Sequence, residues 1–156
     1  MDWGHFLFGF SGRINRAKYW LWILLYVITA LVVGIVIYAT ANSPLIAGIV
    51  QFVFGVIVFI SSLAVISKRL HDRDRSAWWL LVFMLLPTIL IGIGAVLMIF
   101  GVAGSSGANM GAMGWAGGLL MVVAAAILLW SFVEFACLRG TVGPNQYGPD
   151  PLEGRM

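Results

Sequence analysis

All nine Lys and Arg residues of this chain fall in three short segments, and two long stretches without any charged side chain separate them. Arg13, Arg16 and Lys18 precede the first stretch, residues 19–67. Lys68, Arg69, Arg73 and Arg75 follow it, and Arg139 and Arg155 lie beyond the second stretch, residues 76–133. A helix needs about 20 apolar residues to cross the hydrocarbon core of a bilayer, so each stretch has room for two crossings. Two crossings return the chain to the side it left, which puts the three basic segments on one side. Lys and Arg gather on the cytoplasmic side, so that side is the cytoplasm. The expected fold is an all-α integral membrane protein with four transmembrane helices, N-in/C-in, with a basic cytoplasmic loop between the second and third spans. Composition agrees, because a chain that is 62% hydrophobic and 10% charged lies far outside the soluble range of about 45–50% apolar and 25% charged.

The predicted spans are residues 19–38, 45–66, 77–100 and 115–138, followed by a cytoplasmic tail, 139–156, in one membrane domain covering 1–156. The opening residues 2–10 are too short to span, and their aromatic side chains suit the headgroup level. Asn15 is a fair N-cap for the first span. A cleavable signal peptide is the competing reading of that span, but signal apolar cores run about 7–15 residues and this one is longer, so retention is favoured. Asn42-Ser43-Pro44 forms a tight external turn. Pro87 removes a helix hydrogen bond and predicts a kink in the third span. Residues 101–114, rich in Gly, Ala, Ser and Met, form an uncharged external linker. Gly114 and Gly118 make a small-residue pair at the start of the fourth span that permits close helix approach, within the chain or between two copies.

The densest chemistry is Lys68-Arg69-Leu70-His71-Asp72-Arg73-Asp74-Arg75-Ser76, read as the middle loop. Asp72, Asp74 or Ser76 is expected to cap the third span. His71 beside Asp72 admits a proton-handling reading; the alternative is structural, with the acids neutralising arginines and His71 bonding a loop carbonyl. No nucleophile accompanies the pair at a recognisable spacing, so no catalytic residue is assigned. Arginine also supplies bidentate contacts to phosphate, which suits a lipid headgroup or a protein partner. Glu134 is the sole acid inside a predicted span. Intramembrane carboxylates are functional candidates by default, although an ordinary salt bridge to Arg139 or to an arginine before the first span serves as well. A single cysteine, Cys137, excludes an internal disulfide and a Cys-based metal site. No metal or cofactor is expected, and no aromatic-plus-basic motif of a nucleic-acid reader is present.

The segment Phe10-Ser-Gly-Arg-Ile-Asn-Arg16 with Tyr19-Trp20, then Arg69-Leu-His-Asp72 with Arg75-Ser76 and Trp78-Trp79, resembles the DUF805 family of small bacterial inner-membrane proteins. Pro87 and the tail Asn145-Gln-Tyr-Gly-Pro-Asp-Pro151 complete the likeness, which spans nearly the whole chain. Lys18 stands where the family often has Glu, which removes a capping box with Asn15, and Asp74 and Ala77 stand where it often has Gly. The resemblance implies a multi-pass protein of the bacterial cytoplasmic membrane with a cytoplasmic signature loop and no established activity.

These residues predict a cytoplasmic cap, built from Arg13, Arg16, Arg69, His71, Asp72 and Arg75 together with Asn145 and Tyr147 of a tail that folds back at Gly148. The leading expectation is a non-enzymatic module that binds anionic lipid headgroups, or a membrane-protein partner or second copy, through this cap. A small transporter or channel using Glu134 and the Pro87 region is the alternative. An interfacial enzyme using His71 and Asp72 is the third.

Overall fold

A computed structural model describes residues 2–104 and 111–153. Four of its helices are long and apolar enough to cross a membrane: Arg16–Ala39, Pro44–Asp72, Leu81–Ala103 and Ala112–Cys137. No strand occurs among the described residues. The contacts divide the chain into two compact units, Met1–Ala77 with Leu138–Met156, and Trp78–Cys137.

The first unit opens with a short helix, α1 (Trp3–Phe8), where only interfacial aromatics were expected. Asp2 caps it, its carboxylate accepting the His5 N–H at 3.2 Å. A helix this short has no stability of its own. The Lys68 ammonium holds its far end, donating to the His5 and Phe6 carbonyls at 2.7 Å each. Phe6 is therefore buried, against the expectation for a headgroup-level ring. Asn15 caps α2 (Arg16–Ala39) as expected, accepting the Lys18 N–H at 3.0 Å. After a tight turn, Pro44 occupies the first position of α3 (Pro44–Asp72), where its missing N–H costs nothing. The two helices run antiparallel, with the Trp22 indole donating to Ser61 Oγ at 2.9 Å and the Tyr26 and Phe54 rings stacked at 6.5 Å.

Helix α3 does not stop at residue 66. It continues through Lys68, Arg69, Leu70, His71 and Asp72, five residues read from sequence as loop. Its end is a Schellman closure: the Asp74 N–H donates to the His71 carbonyl at 3.0 Å and the Arg75 N–H to the Leu70 carbonyl at 2.9 Å. The closure needs a left-handed residue after the cap, and Asp74 supplies it at φ 56. None of the three residues expected to cap the third span, Asp72, Asp74 and Ser76, is placed to do so. Asp72 lies inside α3, Asp74 closes it, and helix resumes only at residue 79.

The second unit is an antiparallel hairpin of α4 (Leu86–Ala103) and α5 (Ala112–Phe132), each extended by a π-helical turn, Leu81–Leu85 before α4 and Val133–Cys137 after α5. The first π turn precedes Pro87. The Leu86 N–H reaches back to the Leu81 carbonyl, a five-residue step that loosens the helix where proline cannot donate. Residues 105–110 of the expected linker lie outside the described residues. The hairpin closes on glycine. A Cβ added at Gly101 would lie 2.2 Å from the Gly114 nitrogen, and one at Gly117 would lie 2.5 Å from the Gly94 carbonyl oxygen. The small-residue contact is thus made by Gly114 with Gly117, whereas Gly118, expected to share the ridge, has open space around its Cβ position.

Gly101→Leu and Gly117→Val should each destabilise the hairpin by about 3 kcal/mol, the upper range for overpacking a closed contact. Gly118→Ala should stay within about 0.5 kcal/mol of wild type. Unfolding in mixed micelles, followed by circular dichroism, checks both; equal stability of all three variants would contradict the glycine contact.

Candidate functional site

The last turns of α3, the segment before α2 and the tail meet in one polar knot, all within the first unit. Arg13 is its hub. Its guanidinium donates to Asp72 Oδ1 at 3.1 Å, to the Thr141 and Gly143 carbonyls at 2.7 and 2.8 Å, and to the Gly148 carbonyl at 3.2 Å. Its side chain is only 1% exposed. Arg69 approaches Asp72 from the other side, bonding Oδ2 as well as the Leu138 carbonyl and, at 3.4 Å, the Ile14 carbonyl. One carboxylate thus lies between two buried guanidiniums. Backbone carbonyls take the remaining donors, as a buried arginine with five N–H groups requires.

The tail is stitched to α3 through both backbone and side chains. The Thr141 N–H donates to the Asp72 carbonyl at 2.8 Å, and Asn145 Nδ2 donates to the His71 carbonyl at 2.8 Å. Asn145 and Gly148 exchange both backbone hydrogen bonds at 3.1 Å, which makes a tight turn. That turn lays Tyr147 flat on His71, with ring centroids 3.9 Å apart and planes within 6°. Gly143 adopts φ 79, a region that favours glycine, and so turns its carbonyl to Arg13. Gly140 leaves room for Asp72, since a Cβ there would come 2.0 Å from Oδ2. Asp150 finishes the loop, accepting the Leu152 N–H at 2.9 Å and the Gly143 N–H at 3.1 Å.

Of the residues expected in the cap, Arg13, Arg69, His71, Asp72, Asn145 and Tyr147 come together. Arg75 joins through its backbone N–H to Leu70. Arg16 is exposed at the edge and lines, with Asn15, Asp72 and Asp150, a cavity of about 10 Å³. That volume holds no more than one water, so the knot has no room for a substrate. His71 and Asp72 do not form a proton-handling pair: Nδ1 of His71 faces the Gly12 carbonyl at 3.3 Å, and both Asp72 oxygens are bonded by arginines. The phosphate-binding reading also changes at Arg13 and Arg69, whose guanidiniums point inward and are buried. Glu134, in the π turn of the second unit, is 2% exposed. No group of three or more potential metal ligands occurs among the described residues.

Sequence reasoning missed Lys68, Thr141 and Gly140. Lys68 reads as one more loop cation until α1 is known to exist. Thr141 acts through its backbone, which carries no residue signature. Gly140 matters only because Asp72 passes so close.

The four helices long and apolar enough to cross a membrane and the polar knot define a class, a small helical membrane protein with an aspartate held between two buried arginines. The chain belongs to the DUF805 family, described as a protein of unknown function, whose profile matches residues 7–149. It is 33% identical over 147 residues to inner membrane protein YhaH of Escherichia coli K12, covering 92% of this chain and 87% of that one. It is 32% identical to inner membrane protein YhaI of the same strain over 150 residues, with 94% and 88% covered. Similarity to YiiR of that strain is 32% over 145 residues, with 92% and 86% covered. No solved structure matches the chain.

Asp72→Ala should cost about 3–5 kcal/mol, because it strands buried arginine charge, whereas Asp74→Gly should stabilise by about 1 kcal/mol by relieving a left-handed side chain. Chemical-denaturation midpoints check both, and an unchanged midpoint for Asp72→Ala would contradict the knot. The Leu152 and then the Gly143 amide hold the Asp150 carboxyl below its usual range. A lowered folded pKa means that its contribution is present above the ordinary Asp pKa and is lost as pH falls through the lowered value. The stability of the tail turn should therefore hold at neutral pH and fall in acid, and Asp150→Asn should weaken that acid dependence of the denaturation midpoint.

Proposed function

We propose that this protein is a non-enzymatic inner-membrane module, with both termini in the cytoplasm, that presents a rigid basic platform to anionic lipid headgroups. The observation that carries this reading is where the described cations lie. Arg13, Arg16, Lys18, Lys68, Arg69, Arg73, Arg75 and Arg139 belong to segments that adjoin one end of the α2–α3 hairpin in the first unit, while the 40–43 turn at its other end is uncharged. The positive-inside rule turns the cationic end to the cytoplasm, and the relatives' names supply the inner membrane.

Within the platform, Arg13 and Arg69 are the frame. The rim comprises exposed Arg16 and Arg139 together with partly exposed Arg73, whose guanidinium donates to the Arg139 carbonyl at 2.8 Å. Each such cation near an anionic leaflet contributes about 1 kcal/mol. The absence of a substrate-sized space in the knot and the engagement of both Asp72 oxygens favour this reading over catalysis there.

A green fluorescent protein fused to the C-terminus should fluoresce in cells, while an alkaline phosphatase fusion at the same point should be inactive. In nanodiscs of mixed phosphatidylglycerol and phosphatidylcholine, Arg16→Gln/Arg73→Gln/Arg139→Gln should lose the anionic enrichment around the wild type. An active phosphatase fusion, or enrichment unchanged in the triple variant, would overturn the reading.

A further inference from the structure

Beside the knot, still within the first unit, lies a groove of about 470 Å³, lined by Trp3 and Leu7 of α1, Leu25 and Tyr26 of α2, and Phe54 and Ile57 of α3. Its volume falls in the range of about 300–1,000 Å³ typical of small-molecule sites, and its walls are almost wholly apolar. A second cavity, of about 220 Å³, is the more polar of the two and is lined by His5, Ser11, Lys18 and Lys68 together with Phe6 and Ile14. Helix α1 is a wall of both: Trp3 and Leu7 face the groove, and His5 and Phe6 face the polar cavity.

The long helices join them too. On α2, Lys18 is followed at helical spacing by Trp22, Leu25, Tyr26 and Thr29, all four of which line the groove, so they share one face with the cation at its end. On α3, Phe54, Ile57, Val58 and Ser61 line the groove, and Lys68 lies two turns beyond Ser61 on the same face.

We infer that these two cavities, built on the same three helices, form a binding site for one anionic glycerophospholipid, with an acyl chain in the α2–α3 groove and the phosphate at the polar mouth beside Lys18. Charge complementarity selects the occupant. The polar cavity is lined by two ammoniums, Lys18 and Lys68, and by Arg13, whose guanidinium is bonded to Asp72. Asp2 is the one carboxylate lining it, and that group caps α1. Lys68 holds α1 in place, and Lys18, which makes no hydrogen bond or ion pair through its ammonium among the described residues, is the group that meets the phosphate.

The inference rests on the lipid-binding reading above and gives it a specific site. The full chain would be reconstituted with equal phosphatidylglycerol and phosphatidylcholine, then released into detergent for native mass spectrometry. Wild type should retain one lipid, phosphatidylglycerol in preference to phosphatidylcholine. Lys18→Ala should lower that preference about fivefold. Thr29→Trp, which fills the groove, should reduce retention of both lipids, and Leu25→Trp replaces it if circular dichroism shows misfolding. Lys18→Ala is a surface change and tests the site by itself. Equal retention of the two lipids by wild type, or a preference that Lys18→Ala leaves intact, would overturn the site. Loss of enrichment in the Arg16/Arg73/Arg139 variant with Lys18→Ala unaffected would keep the platform and remove the groove; the converse would keep the groove and remove the platform.

Discussion

A guanidinium withdrawn from water must find acceptors for all its donors, and the first unit of this protein is arranged around that demand. Arg13 reaches a carboxylate and three carbonyls belonging to two distant parts of the chain. Those carbonyls are available only if the tail turns at residues 143–148, and the carboxylate only if α3 continues to Asp72. Each element therefore has its endpoint set by the same charge. Arg69 adds a second cation to the same carboxylate, so the cluster carries more positive charge than Asp72 can neutralise. Carbonyl dipoles from Leu138, Ile14, Thr141, Gly143 and Gly148 supply the difference. Arrangements of this kind add little net stability relative to apolar packing, but breaking them is costly. What they fix is geometry: one arrangement of the tail satisfies every donor.

The second unit meets the opposite problem. It has almost no polar groups to direct packing, and apolar side chains gain nothing by leaving lipid for one another. Its hairpin relies instead on backbone contact at Gly101, Gly114, Gly94 and Gly117 and on aromatic edges, with Phe83 meeting Trp130 at 4.9 Å and Phe135 at 5.2 Å. The π turns at both of its ends shift helix register by a residue, and one of them carries Phe83 while the other carries Phe135 and Glu134.

How much of this was legible in the sequence follows from which interactions have a one-dimensional signature. The spans were legible because hydropathy over some twenty residues averages out local detail. Asn15 was legible because a cap is a local rule. The extent of α3 was not, because Lys68 and Arg69 look like loop residues until their partners, the carbonyls of His5, Phe6 and Leu138, are brought near by the fold. The same holds for α1, which exists because Lys68 holds it. The residues of the knot could be named from sequence, since the polar residues of a membrane chain are few, but their direction could not. Arg69 reads as a ligand-binding arginine and is in fact buried at 0% exposure. Whether an arginine faces inward or outward depends on carbonyls supplied by other segments, and carbonyls are the same in every residue.

That distinction separates the two kinds of cation at this end of the molecule. A fully buried cation bonded to internal carbonyls cannot also bind a phosphate without unmaking the fold, so binding falls to cations that keep exposed surface. Arg13, Arg69 and Lys68 belong to the first kind by their hydrogen bonds. Lys18 belongs to the second. It stands one helical turn inside the Asn15 cap, at the place where a glutamate would complete a capping box. With lysine there, the helix start keeps the Asn15 bond and gives up the reciprocal one, and the first turn of α2 carries a positive charge where the helix dipole favours a negative one. A nearby phosphate reverses that penalty, because it answers both the lysine and the helix end.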